Sequence, residues 1–349
     1  MKRVSAQVRV GDLLLGGGAP VSIQTMSTLS PAKTDLCVEQ IRRIEAAGCR
    51  LIRFSVPDAQ AAVGFEALRQ QTNALLVADV HFDYRLAVSA AEHGAHKIRI
   101  NPGNIGSREG VKAVADVCRK RGIPIRIGIN GGSLEKSMLA KYGGPTAEAL
   151  AESALQNAAM LEAFDFSDIV LSVKSSSVSK TIEAYRLLAQ RCSYPLHLGV
   201  TEAGGAEMGM IKSAIGIGSL LHDGIGDTLR VSLTEDPVRE VEVGLEILSA
   251  LGIRRDHPDI ISCPTCGRCR CDVISLAAQA RQRFGKLDRG ITIAVMGCEV
   301  NGPGEAREAD LGVACGTGEG LLFRKGKPLR KVPFERILDE MALELEKDE

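Results

Sequence analysis

Eight short runs of β-branched and aliphatic residues recur along the first two thirds of the chain, separated by longer stretches whose apolar positions fall three and four residues apart. The runs are VSIQTM (21–26), LIRFSV (51–56), LLVADV (75–80), KIRI (97–100), PIRIGI (124–129), DIVLSVK (168–174), LHLGVT (196–201) and TLRVSL (228–233). Their length and composition predict buried strands, and the stretches between them carry the period of amphipathic helices. DLCVEQIRRIEAAG is one such stretch; it ends on Gly48, a helix stop signal. Eight β–α repeats with a closing helix over 236–250 predict the α/β class and a (β/α)8 TIM barrel. A doubly wound sheet is the alternative, although it seldom needs eight regular units. VRVGDLLLGGG (8–18) reads as a hairpin that caps the barrel bottom.

After IRRDHPDI (253–260) the β–α rhythm stops and cysteines begin, which predicts a barrel over 1–254 and a smaller α+β unit over 255–349. A chain of 349 residues is long enough for two cores. Its 43 Lys+Arg balance 43 Asp+Glu, so a general binder of nucleic acid or acidic membrane is not expected. The start, MKRVSAQVRVGD, has no apolar leader, and no apolar run is long enough to span a bilayer. The expectation is a cytoplasmic chain with no membrane and no nucleic-acid partner.

Barrel chemistry sits at the C-terminal ends of the strands. Those ends here carry Gln24, Arg53, Asp79 with His81, Arg99 with Asn101, Arg126 with Asn130, Lys174, Glu202, and Arg230 with Ser232. Arg53, Arg99, Arg126, Lys174 and Arg230 outnumber Asp79 and Glu202, so the mouth holds a positive surplus. A partly buried cation without a counter-charge is costly, which implies an anionic ligand. The planar fork of arginine suits phosphate oxygens, and the size of the surplus suits a diphosphate. The glycine-rich loops NPGNIGS (101–107) and GGSL (131–134) are able to offer backbone N–H groups to phosphate, but they read equally well as plain turns. The loop GGSLEKSMLAKYGGPT follows a strand end and belongs to the same face. His93, His96, His197, His222 and His257 show no ligand spacing and read as structural or solvated.

Of ten cysteines, Cys37, Cys49, Cys118 and Cys192 stand alone in or just after helical patterns and read as small core residues. Cys263, Cys266, Cys269, Cys271, Cys298 and Cys315 lie in the last quarter. The triplet Cys263-x2-Cys266-x2-Cys269 resembles ferredoxin ligands, with Cys298 as a fourth, but a structural zinc site or a redox dithiol fits the spacing too. ITIAVMGCEVNGPGEA (291–306) favours iron–sulfur: a strand delivers Cys298 into a Gly/Pro loop that carries Glu305. A thiolate and a carboxylate together suit a metal site with one replaceable ligand.

ADVHFDYR, IRINPGNIG, PIRIGINGGSLE, HLGVTEAGGA, GIGDTLRVSL, CPTCGR and GCEVNGPGEA, in this order, closely resemble the 4-hydroxy-3-methylbut-2-enyl diphosphate synthase family in its bacterial two-domain form. The resemblance implies a [4Fe–4S] cluster held by Cys263, Cys266, Cys298 and Glu305, with Cys269 and Cys271 outside the ligand set. It further implies reductive ring opening and dehydration of 2-C-methyl-D-erythritol 2,4-cyclodiphosphate, with ferredoxin or flavodoxin as electron donor, in a homodimer. Under this reading Arg53, Arg99, Arg126, Lys174, Arg230, Asn130, Ser232 and Gln24 bind substrate. Glu202 serves the departing hydroxyl, with His81 and Asp79 as second choices. A TIM-barrel enzyme for another phosphorylated substrate, carrying a structural zinc domain, is the alternative.

Overall fold

The computed structural model describes residues 3–285, 287–299, 304 and 306–347. It divides into two compact units, Met1–Ile247 and Leu248–Glu349.

The first unit opens with the antiparallel hairpin β1 (Val8–Val10) and β2 (Leu13–Leu15). Eight parallel strands follow: β3 (Ser22–Met26), β4 (Leu51–Ser55), β5 (Leu75–Asp79), β6 (Lys97–Ile100), β7 (Ile125–Asn130), β8 (Ile169–Lys174), β9 (His197–Leu198) and β10 (Thr228–Leu229). They pair in the order β8-β7-β6-β5-β4-β3-β10-β9, and a bridge between Leu171 and Leu196 joins the two ends into a barrel. The expected helices lie between the strands, among them α3 (Tyr84–Glu92), α4 (Arg108–Arg121), α7 (Val178–Arg191) and α8 (Ala206–His222), and α1 (Thr34–Ala46) shows why they form. Cys37, Val38, Ile41 and Ile44 fall on one buried face at helical spacing. In α2 (Ala59–Gln71) the Asp58 side chain caps the free Ala61 N–H. The hairpin packs Val8, Val10 and Leu15 against Leu51, Leu75, Val77 and Val170, so apolar side chains fill this end of the barrel.

Two elements differ from the sequence expectation. The seventh and eighth strands keep a ladder over two residues each rather than six. Past Leu198 and Leu229 the backbone leaves the ladder, and the Arg230 N–H still reaches the Leu198 carbonyl at 2.9 Å. The next side chain, Arg230, is held by a helix carboxylate instead of by strand packing. The long loop after β7 contains α5 (Lys136–Tyr142) and then α6 (Ala147–Glu162).

The second unit carries a five-stranded sheet ordered β11-β12-β13-β14-β15, over Asp259–Ser262, Thr292–Met296, Leu311–Cys315, Glu319–Arg324 and Lys327–Pro333. The first three strands run parallel and the rest antiparallel. The helices over Val273–Phe284 and Ile337–Glu346 cover it, packing Leu276, Ala280, Met341 and Leu345 onto Ile293, Val295, Val313 and Leu322. This is the smaller α+β unit expected after the barrel. No helix among the described residues is long and apolar enough to cross a membrane.

Candidate active site

Side chains alternate between the two faces of a strand, so Lys97 and Arg99 share one face of β6. That pairing is the clearest sign that the barrel interior is polar above its apolar floor. Gln24, Lys97, Arg126 and His197 are each at most 1% exposed. Both amide atoms of Gln24, Lys97 Nζ, Arg126 Nε and Nη1, and His197 Nε2 lack hydrogen-bond partners among the described residues. A buried polar group left unpaired costs about 1–3 kcal/mol, and more when charged. Burial, reinforced by Arg53 and Arg99, works against the charge of Arg126. A guanidinium nevertheless does not give up its proton in a protein, so compensation has to come from an anion.

Asp79 is the hub of the occupied contacts. Its carboxylate accepts from Arg99 Nη1 at 2.9 Å, lies 3.3 Å from His81 Nε2 and 3.7 Å from Arg53 Nε. Burial alone would raise its pKa, but Arg53 and Arg99 outweigh that and hold the carboxyl well below its ordinary range. Arg99 also donates to the Gly128 carbonyl at 3.0 Å, and a Cβ on Gly128 would collide with the Arg99 guanidinium. A Cβ there would force the guanidinium to shift. Burial, with Arg126 and Arg230 next, pushes the Lys174 ammonium well below its usual value.

Above this layer a cleft of about 610 Å3 is lined by His81, Arg99, Asn101, Asn130, Ser175 and Glu202, among others. Glu202 is exposed and adopts φ 53°, the left-handed region that glycine favours. A non-glycine residue held there stores backbone strain, a feature that clusters at functional sites. The serine run Ser175–Ser177 also lines the cleft, and Ser177 caps the helix Val178–Arg191. A helix start beside the cleft is a place for an anion. The sequence reading passed over it, although serines between a strand end and a helix are the available signal.

The structure revises the charge count in two places. Arg230 is not a free cation: its Nη2 donates to Glu240 Oε1 at 2.8 Å and its Nε to Oε2 at 3.2 Å. Glu240 comes from α9 (Pro237–Ala250), is 4% exposed, and also accepts from Thr25 Oγ1 at 2.8 Å. Lys97 is the second omission. Among the described residues Arg53, Arg99, Arg126 and Arg230 alone outnumber Asp79, Glu240 and Glu202, so a positive surplus persists even before Lys97 and Lys174 are counted. It lies deeper than expected, with Arg126 enclosed in the barrel rather than exposed at its mouth. His197, read as structural or solvated, belongs to the same enclosed layer. Ser232 is half-buried.

In the second unit, parallel pairing brings the cysteine segments to one end of the sheet. Ser262 pairs with Val295, and Met296 with Ala314. Cys263 and Gly297 with Cys298 therefore follow the C-terminal ends of two adjacent strands, and Cys315 closes the third. Gly297 N–H donates to Cys263 Sγ at 3.1 Å, and a Cβ on Gly297 would overlap Cys269 Sγ. Cys266 is exposed, and the Arg268 backbone N–H lowers its thiol pKa. N–H donors aimed at sulfur favour the thiolate, the form that binds iron. Cys271 and Cys315 hydrogen-bond each other. Among the described residues no three Cys, His, Asp or Glu side chains stand in a metal-holding group. Glu305 lies outside the described residues. The thiols outside this unit behave as core residues: Cys37, Cys49 and Cys118 are buried, and burial pushes Cys49 and Cys118 up to about 12. Cys192 is only half-buried.

Residues 5–245 match the family model described as the GcpE TIM-barrel domain, and residues 259–347 match that of the GcpE protein C-terminal domain. The chain is 52% identical over 347 residues to the 4-hydroxy-3-methylbut-2-en-1-yl diphosphate synthase (flavodoxin) of Caldanaerobacter subterraneus subsp. tengcongensis, covering 99% of this chain and 98% of that one. Identity and coverage are the same for the protein of that name from Geobacter sulfurreducens. Among solved structures the chain is similar to dihydropteroate synthase from Stenotrophomonas maltophilia, with a TM-score of 0.52 and 14% identity over 71% of this chain and 98% of that one. It is also similar to the N-acetylneuraminic acid synthetase of Leptospira borgpetersenii, with a TM-score of 0.50 and 14% identity over 82% of this chain and 100% of that one. At such identity the likeness is one of fold.

Proposed function

The chain belongs to the GcpE family, and we propose that it reduces 2-C-methyl-D-erythritol 2,4-cyclodiphosphate to 4-hydroxy-3-methylbut-2-enyl diphosphate. The ring opens at its tertiary carbon–oxygen bond, the C3 hydroxyl leaves as water, and two electrons and two protons are consumed. The observation that carries this reading is the enclosed Arg126, whose Nε and Nη1 have no partner among the described residues. An anion with two phosphates answers that surplus.

In this proposal Arg53, Arg99, Arg126 and Lys174 hold the phosphates, while Asn130, Ser232 and Gln24 add hydrogen bonds. Arg230, braced by Glu240, is a positioning cation rather than a free one. Fixing both phosphates orients the ring and removes much of the entropic barrier. Glu202, at the cleft, positions or protonates the departing hydroxyl, with His81, oriented by the ionised Asp79, as the second choice. Cys263, Cys266, Cys298 and Glu305 would hold a [4Fe–4S] cluster, which supplies single electrons and, through its weaker carboxylate ligand, an open iron site. The Gly297 N–H on Cys263 Sγ and the lowered thiol pKa of Cys266 support that role. The proposed division of labour is substrate binding by residues 1–254 and cluster binding by 255–349, in a homodimer that receives electrons from flavodoxin or ferredoxin.

Anaerobic loading with iron and sulfide tests the reading. Equal iron and sulfide content, with turnover of the cyclodiphosphate, is the expected result. A chain that retains zinc in the cysteine unit and leaves the cyclodiphosphate unchanged refutes it.

A further inference from the structure

Lys97 has no role in the reaction as described, yet it is the most awkwardly placed charge in the barrel. It is wholly buried, and its Nζ has no hydrogen-bond partner among the described residues. Cations face it from the adjacent strand, Arg126 of β7, and from the next strand but one, Arg53 of β4. His197 from β9 lies in the same field, together with Lys174 from β8. The nearby carboxylate, Asp79 on β5, is already engaged by Arg99, Arg53 and His81. An ammonium in such surroundings is repelled on several sides and solvated on none.

We propose that Lys97 rests as a neutral amine in the ligand-free barrel and takes up one proton from solvent when a diphosphate binds beside Arg126 and Lys174, acting as a charge-adjusting positioning residue. The inference rests on the diphosphate reading of the site. Burial, reinforced by Arg126 and Arg53, holds the Lys97 pKa well below its usual value in the ligand-free protein. An anion nearby favours the charged form and reverses that balance. The barrel thereby avoids a further repulsive charge before binding and gains one afterwards. By linkage, affinity falls as pH rises through the ligand-bound value of the amine.

The experiment is calorimetric titration of the full-length, cluster-loaded protein with the cyclodiphosphate, reductant omitted, in buffers of different ionisation enthalpy. Each phosphorus of the cyclic diester carries one strongly acidic hydroxyl, so the ligand stays fully ionised near neutral pH and buffer-dependent heat reports protons taken up by the protein. The wild type should take up at least one proton. Lys97→Met should take up about one fewer and bind roughly tenfold more weakly. Its ligand-free melting temperature should not fall, because an apolar isostere replaces an unpartnered buried amine. Equal proton uptake in both proteins overturns the inference while leaving the diphosphate reading intact. Absence of binding by the wild type overturns the diphosphate reading itself. Should Lys97→Met not fold, the wild type alone decides: affinity that is flat from neutral to alkaline pH rules the proton uptake out.

Discussion

At the scale of single residues, Arg126 separates binding from folding. Replacing it by Met keeps about the volume of an enclosed side chain and removes a cation that has no carboxylate partner among the described residues. The variant should raise KM for the cyclodiphosphate by the value of one or two charged hydrogen bonds, about 1.5–3 kcal/mol each. Its unfolding midpoint in urea should stay level or rise, since exchanging a buried charge for apolar volume is often neutral or stabilising. Unaltered KM in Arg126→Met would remove Arg126 from the phosphate clamp. The cysteines sort in the same way. Cys263→Ser, Cys266→Ser and Cys298→Ser should each lose the visible absorption of the cluster, because a hydroxyl is a poor ligand for iron–sulfur iron. Cys269→Ser and Cys271→Ser should keep it, since Cys269 packs on Gly297 and Cys271 pairs with Cys315. Loss of the cluster in Cys269→Ser with retention in Cys298→Ser would establish the ferredoxin-type triplet instead. The two glutamates should fail differently in low-temperature EPR. Glu202→Gln should show a normal substrate-free signal and a rate about 10²–10⁴-fold lower, whereas Glu305→Gln should show an altered signal before substrate is added.

Among elements, α9 does more than close the barrel. Its first turn carries Glu240, which accepts from the Arg230 guanidinium, Thr25 Oγ1 and the Leu233 N–H. Breaking a buried pair from one side leaves the other charge stranded, at a cost of about 3–5 kcal/mol. Glu240→Gln should lower the urea midpoint of the barrel accordingly without changing the cluster spectrum. A midpoint equal to that of the wild type would mean that solvent already serves Arg230. Elements also show what the sequence can tell. The strand runs and helical periods were legible because burial imposes a period of two or 3.6 on them. The short ladders of β9 and β10 were not: past Leu229, Arg230 looks like strand but is tied to Glu240 of α9, and past Leu198 the Thr201 N–H turns to the Ser175 carbonyl. Glu240 was hidden for the same reason. A first-turn helix acid reads as solvated until the fold brings Arg230 to it. Lys97 was within reach, two residues before Arg99 on one strand face, but it sits at the start of the strand, where a barrel core is ordinarily apolar.

For the molecule as a whole, the enclosed charges predict an unusual pH profile. Lys97 and Lys174 have folded-state values depressed by burial, so between those values and the ordinary 10.5 the unfolded chain binds more protons than the folded one. Stability of the ligand-free chain should therefore rise with pH above neutral, by up to about 1.4 kcal/mol per pH unit for each lysine. Cys49 and Cys118 oppose the trend. Pushed up to about 12 from 9.0, they stay protonated in the folded state while the unfolded thiols ionise. Melting temperature should thus climb from neutral pH, flatten beyond about pH 9 where the two effects offset, and fall once pH passes the ordinary lysine value of 10.5. A profile that declines steadily from neutral pH would show that the lysines are charged in the ligand-free barrel.

Cationic barrel and cysteine unit serve one reaction in this account, and its product is the most direct witness. The cluster-loaded chain is incubated without oxygen with the cyclodiphosphate and reduced flavodoxin, and the phosphorus NMR spectrum is followed. The two ring phosphorus resonances should give way to the pair of a linear diphosphate, with two electrons consumed per molecule. Unchanged ring resonances in the presence of an intact, reducible cluster would contradict the account.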